Sequence, residues 1–153
     1  MTRGARSHLF YVGDPKPFKN FDLKIDVMTE PGANGGIYFH TQYKAEGFPW
    51  GGFESQVNNT HGDWRKTGSI YAVADLAQSA AKDEEWWTQE IIVQGNRVSV
   101  LIDGKRVLEY TEPPGVTAGT AFERKLGAGT FALQAHDPQS VVRYRDIRVK
   151  RLD

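Results

Sequence analysis

The chain has 153 residues, the length of a single domain, and its 19 Lys and Arg balance its 19 Asp and Glu. The formal net charge of zero argues against nucleic acid or an anionic membrane as the main partner, and the absence of cysteine excludes disulfides and thiolate chemistry. No apolar run is long enough to span a membrane or to form the core of a signal peptide.

Alternation of apolar and polar residues predicts β-strands along most of the chain, since side chains of a strand point alternately to its two faces. The predicted strands are Phe21–Val27, Gly36–Gln42, Phe53–Asn59, Ser69–Val73, Trp87–Gln94, Gly129–His136 and Val141–Leu152. Only Val73–Lys82 has a helix-like composition, and it is short enough to be a turn within a loop. A further loop begins at Pro113 and reaches about Lys125.

Two short turns make the middle of the chain the clearest local prediction. Gly95-Asn96 separates Glu90–Gln94 from Arg97–Ile102, and Asp103-Gly104 separates that strand from Lys105–Tyr110. Gly and Asn supply the positive φ angles that two-residue hairpins require, so these segments are predicted to form a three-stranded meander. Strands this frequent indicate one all-β domain over residues 1–153, built as a two-sheet sandwich or a barrel.

The polar faces of three predicted strands carry an unusual set of side chains. The rows are Tyr38, His40 and Gln42; Glu54, Gln56 and Asn58; and Gln134 and His136. Amides, imidazoles and a single carboxylate suit hydrogen bonding to sugar hydroxyls or proton transfer. A hydrated sheet face is the alternative interpretation of each row.

Glu54 is the best candidate for acid/base chemistry, because neighbouring amides and aromatic rings could desolvate it and raise its pKa. His40 and His136 could act as proton shuttles, hydrogen-bond donors to a sugar, or metal ligands. Asp137 either caps the turn after its strand or joins His136 as a metal ligand. Trp50 lies in a glycine-rich aromatic loop that could cover a sugar as a lid or stacking platform.

Six separated motifs resemble the 3-keto-disaccharide hydrolase domain family, in the expected order from about Phe18 to Leu152. They are PGANGGIYFHT (Pro31–Thr41), GFESQVNNT (Gly52–Thr60), TGSIY (Thr67–Tyr71), EWWTQEIIVQGNRVSVLIDGKRVLEY (Glu85–Tyr110), ALQAHDP (Ala132–Pro138) and VRYRDIRVKRL (Val142–Leu152). The resemblance implies an antiparallel jelly-roll sandwich of the concanavalin A-like lectin and glucanase type, with carbohydrate on a concave sheet.

The resemblance also implies cleavage of glycosides whose sugar is oxidised at C3. Glu54, His136 and His40 are then expected to be catalytic, and the sugar is expected to contact Gln56, Asn58, Tyr38, Tyr71, Gln134 and Trp50. A divalent metal ion held by Glu54 and His136 is an option that the resemblance leaves open. It further implies a periplasmic or extracellular location, although no signal peptide is visible in the sequence.

Two classes of function therefore remain open at this point. The first is a 3-keto-glycoside hydrolase or lyase with Glu54 as its acid/base. The second is a non-catalytic carbohydrate-binding module on the same fold, and a structural adhesion domain is a more remote third option. The partner expected in the first two cases is a carbohydrate or glycoside.

Overall fold

The computed structural model of the chain describes residues 1, 4–118 and 124–152. Regular secondary structure in this part of the chain consists of nine β-strands and no helix, so no helix there could cross a membrane. The strands are β1 (Ser7–Phe10), β2 (Phe21–Thr29), β3 (Gly35–Thr41), β4 (Phe53–Val57), β5 (Trp87–Gln94), β6 (Arg97–Ile102), β7 (Lys105–Thr111), β8 (Thr130–Ala135) and β9 (Val142–Arg151).

The strands form two antiparallel sheets, which confirms the prediction of an all-β sandwich. One sheet has four strands in the order β1-β8-β3-β4, and the other has five in the order β7-β6-β5-β2-β9. The predicted meander is present as β5-β6-β7. Both residues of the turn between β6 and β7, Asp103 and Gly104, have positive φ, as a type I′ hairpin turn requires.

The core lies between the sheets and is built by the alternation that the sequence displays. In β2, for example, every second residue is buried, from Phe21 to Thr29. Two hydrogen bonds cross this apolar layer. Buried Gln89 of β5 donates from Nε2 to Ser55 Oγ (2.9 Å) and to the backbone oxygen of Gln56 (3.2 Å) in β4. These bonds fix β4 relative to the opposite sheet.

His40 departs from the predicted alternation. The pairing of β3 with β8 shifts register between Tyr38 and Thr41, and His40 has a φ of 56° at this bulge. Its ring is 4% exposed; Nε2 donates to the backbone oxygen of Lys19 (2.8 Å), and Nδ1 accepts from the backbone N–H of Gly127 (3.1 Å). The prediction that Tyr38, His40 and Gln42 share one face is therefore wrong.

Two further local differences separate the structure from the sequence prediction, and one further prediction is confirmed. Ser69–Val73 is not a strand and contributes only bridges of Ile70 to Ser55 and Ala74. Val73–Lys82 forms a loop of turns and bends, as its short length predicted. Strand β1 was not predicted; it pairs with β8 and completes the edge of the four-stranded sheet.

Candidate functional site

A cleft with a volume of about 290 Å³ opens on the outer face of the four-stranded sheet. Its floor is formed by side chains of three adjacent strands, and its walls by loop residues. The floor contains Tyr38, Glu54, Gln56 and Gln134, and the walls include Asn34, Phe48, Asp63, Tyr71, Arg124 and His136. The floor residues converge because the register pairs Tyr38 with Glu54, and Gly36 with Gln56, across β3 and β4.

The carboxyl group of Glu54 lies directly over Gly36. A Cβ atom on Gly36 would overlap Glu54 Oε1, so only glycine leaves room for the carboxyl group in this position. Tyr38 donates a hydrogen bond from its hydroxyl group to Glu54 Oε2 at 2.8 Å. Burial raises the pKa of Glu54 to about 7, although the hydrogen bond from Tyr38 and the charge of Arg124 act in the opposite direction.

Gln134 extends this hydrogen-bonded chain across the floor. Its Nε2 donates to the Tyr38 hydroxyl oxygen at 3.1 Å and lies 3.5 Å from Nε2 of His8 in β1. Burial, aided by the charge of Arg6, lowers the pKa of His8 to about 4, so His8 is neutral at pH 7 and can accept. The Oε1 atom of Gln134 is buried and has no hydrogen-bond partner within the described residues.

His136 is held by a carboxylate on the residue that follows it. Its Nδ1 lies 2.6 Å from Asp137 Oδ2, which also accepts a hydrogen bond from Ser140 Oγ at 2.7 Å. The other oxygen, Oδ1, accepts from the backbone N–H groups of Gln139 (2.9 Å) and Ser140 (2.8 Å). Burial raises the pKa of Asp137, but the hydrogen bonds from His136 and Ser140 outweigh it and hold that pKa well below its usual range. Asp137 is therefore ionised, and His136 donates from Nδ1.

His61, His136 and Asp137 each have a potential metal-ligand atom within 4.8 Å of the others. Their hydrogen bonding does not fit a bound ion. Nδ1 of His61 accepts from the backbone N–H of Asp63 at 3.0 Å, so the proton of the neutral ring resides on Nε2. The oxygens of Asp137 already accept four hydrogen bonds. The group does not include Glu54, which was the expected partner of His136 as a ligand.

Loop 58–66 forms one wall of the cleft and is held in place by buried polar contacts. Asn58 donates from Nδ2 to the backbone oxygens of Asp63 (2.9 Å) and Arg65 (2.8 Å). Lys66 donates from Nζ to the backbone oxygen of His61 at 2.6 Å. Asn58 therefore supports the wall from behind and is not among the residues that line the cleft.

Six of the nine predicted site residues meet in this cleft: Tyr38, Glu54, Gln56, Tyr71, Gln134 and His136. His40, Asn58 and Trp50 are not among its lining residues. Trp50 is 39% exposed, while its neighbours in the glycine-rich loop line the cleft in its place. The cleft also contains Asn34, Asp63 and Arg124, which the sequence did not indicate as site residues, because each lies in a loop and no periodic pattern shows where its side chain points.

A two-sheet antiparallel sandwich with a polar cleft on one outer sheet face is an architecture that jelly-roll lectin domains share. The chain belongs to the family of 3-keto-alpha-glucoside-1,2-lyase-like domains, whose family model matches residues 2–150. Membership of this family connects the chain with the chemistry of carbohydrates. A search of curated proteins found no match.

Solved structures confirm the jelly-roll prediction. Two candidate glycosyl hydrolases from Parabacteroides distasonis ATCC 8503 are similar to this chain. The first has 20% identity and a TM-score of 0.79, covering 99% of this chain and 79% of that one. The second has 22% identity and a TM-score of 0.76, covering 96% and 84%. The carbohydrate-binding module CBM66 from Bacillus subtilis has 12% identity and a TM-score of 0.64, covering 96% and 83%.

Proposed function

We propose that the cleft binds a glycoside whose sugar is oxidised at C3 and cleaves its glycosidic bond by elimination. The 3-keto group acidifies the proton on C2, and a base removes that proton. The electron pair of the C2–H bond then forms a C1=C2 double bond, the C1–O bond breaks, and the departing oxygen takes a proton from an acid. Addition of water to C1 of the resulting enone would convert the same cleavage into net hydrolysis. The family description supports this choice of substrate.

The partly buried carboxyl group of Glu54 on the cleft floor is the observation that carries the proposal. With a pKa of about 7, a large fraction of Glu54 is protonated near neutral pH and can donate to the departing oxygen. The hydrogen bond from Tyr38 stabilises the carboxylate that remains after this donation. A site that only binds sugar does not require a carboxyl group with a raised pKa, whereas an acid catalyst does.

Amide groups around Glu54 supply the contacts with sugar hydroxyls in this proposal. Gln56 donates from Nε2 to Asn34 Oδ1 at 3.2 Å, which orients both amides at the cleft. Gln134, which lines the cleft, offers its side-chain amide to a hydroxyl group of the sugar. Arg124, which also lines the cleft, provides a positive charge that can polarise the C3 carbonyl oxygen.

The test compares wild type, Glu54→Gln and the exposed control Glu46→Gln on a 3-keto-glucoside with a 4-nitrophenol leaving group. We expect enzyme-dependent release of nitrophenol in wild type and the control, and a loss of roughly 10²–10⁴-fold in Glu54→Gln. Sugar binding, measured by calorimetry with an unreactive 3-keto analogue, should remain in Glu54→Gln. A chelator should leave release unchanged, because the hydrogen bonding of the His61 group does not fit a metal ion.

The alternative, a non-catalytic carbohydrate-binding module, makes a different prediction in the same experiment. Wild type would then bind the analogue but release no nitrophenol above the rate in buffer alone, and Glu54→Gln would bind equally well. Absence of both binding and release would contradict a sugar site in this cleft. Loss of release with chelator, followed by recovery with added divalent metal, would contradict the metal-free assignment.

A further inference from the structure

The two oxygens of the Asp137 carboxylate have separate partners. Oδ1 accepts two backbone N–H groups and thereby caps the turn that follows β8. Oδ2 accepts from the side chain of Ser140, which belongs to the same turn, and from the ring of His136, which lies outside it. A turn-capping role explains the bonds with Gln139 and Ser140 but not the bond between Oδ2 and His136.

The direction of every hydrogen bond around Oδ2 is determined. Ser140 Oγ accepts from the backbone N–H of Asn34 at 2.9 Å and donates its own proton to Asp137 Oδ2. Because an ionised carboxylate can only accept, Nδ1 of His136 must carry a proton. In the neutral ring, Nε2 then holds a lone pair, and no described residue is hydrogen-bonded to it.

We propose that Asp137 is a positioning residue that holds His136 in the tautomer with a bare Nε2 at the cleft, which makes His136 the base that removes the C2 proton. This inference rests on the proposed elimination reaction and assigns its first proton transfer. His136 Nε2 accepts the C2 proton, the C–H electron pair becomes the C1=C2 bond, and the departing oxygen receives a proton from Glu54. The imidazolium formed on His136 is stabilised by the adjacent Asp137 carboxylate. Proton exchange with water then restores both side chains.

Asp137→Asn tests this role with little change of shape. The two backbone N–H donors require the amide oxygen of Asn at the Oδ1 position, which places its NH₂ group at the position of Oδ2. An NH₂ group can only donate to His136 Nδ1, so the proton of the ring moves to Nε2 and the lone pair of the base is lost. The exposed Asp146→Asn, on β9, is the matched control.

The assay measures removal of the C2 proton separately from departure of the leaving group. The ketone derived from 1,5-anhydroglucitol by oxidation at C3 has a C2 proton but no aglycone on C1, and exchange of that proton in D₂O is followed by proton NMR. We expect wild type and Asp146→Asn to catalyse exchange at C2, and Asp137→Asn to lose roughly 10³-fold of the rate. Nitrogen-15 NMR of the His136 ring should show a protonated Nδ1 in wild type and a protonated Nε2 in Asp137→Asn.

The outcomes separate this inference from the proposed function. Wild-type exchange that persists at full rate in Asp137→Asn overturns the role of Asp137 and leaves the elimination reaction in place. A loss of exchange that only parallels weaker binding of the ketone, with the His136 tautomer unchanged, overturns it as well. If wild type neither exchanges the C2 proton nor cleaves the 3-keto-glucoside, the proposed function fails and this inference fails with it.

Discussion

Replacing Glu54 by Gln should change the pH dependence of stability in a direction that follows from its burial. Folding raises the pKa of this carboxyl group from 4.5 to about 7, so between these pH values the folded chain binds more protons than the unfolded chain. Stability is therefore lost as the pH rises through this window, and the loss is complete above pH 7. At about 1.4 kcal/mol per pH unit, the full effect is about 3 kcal/mol.

The amide introduced by Glu54→Gln is neutral at all pH values and can still accept the hydrogen bond from Tyr38, so the variant avoids this loss. We therefore compare the free energy of unfolding of Glu54→Gln with that of wild type at pH 4 and at pH 8. Between these two pH values, the difference should shift in favour of the variant by up to about 3 kcal/mol. Urea unfolding at a series of pH values, followed by tryptophan fluorescence, gives both free energies of unfolding.

Glu46→Gln, which replaces an exposed carboxyl group, is the control for the general effect of removing one negative charge. It should show little change in relative stability between pH 4 and pH 8. The reasoning is refuted if the difference between Glu54→Gln and wild type is the same at both pH values, or if the variant loses stability relative to wild type as the pH rises.

Two further substitutions test the placement of residues around the cleft. Gly36→Ala should reduce cleavage of the 3-keto-glucoside roughly 100-fold, because its Cβ displaces the Glu54 carboxyl group. Gly62→Ala is the control and should retain activity, because a Cβ at that position meets nothing within 4 Å. Equal cleavage rates in both variants would contradict the close contact between Gly36 and Glu54. His40→Ala should lower the free energy of unfolding by about 3 kcal/mol in urea titrations, since it leaves two buried backbone groups unpaired. A loss of cleavage by fully folded His40→Ala, with stability unchanged, would instead support the catalytic role expected from the sequence.

Local signals explain which parts of the fold could be predicted. The β5-β6-β7 meander depends on two short turns and on strict alternation, both of which are visible in the sequence. Strand β1 escaped prediction because it is an edge strand of four residues, and even its apolar Leu9 is 68% exposed. The bulge at His40 depends on contacts with Lys19 and Gly127, which are distant in sequence and have no local signature.

The site residues that lie on strands could be predicted from the sequence, whereas those that lie on loops could not. Tyr38, Glu54 and Gln134 follow from alternation, because neighbouring strands place equivalent positions side by side. Arg124 and Asp63 reach the cleft through loop conformations that no periodicity encodes. The different hydrogen-bond partners of the two Asp137 oxygens could be identified only from the atomic positions in the structure. The exported location expected from the resemblance stays a prediction, since neither the fold nor the cleft depends on the compartment.

The space shared by Gly36 and Glu54 links two positions that are far apart in the chain but adjacent in the sheet. A larger residue at position 36 displaces the carboxyl group of Glu54, whereas it meets no such obstacle if position 54 carries a shorter side chain, so the effects of substitutions at the two positions are not additive. During divergence of such a protein, loss of the carboxyl group would remove the constraint on position 36 and allow side chains to accumulate there. Recovery of the acid would then need a second, simultaneous change back to glycine, which makes the loss of this carboxyl group hard to reverse.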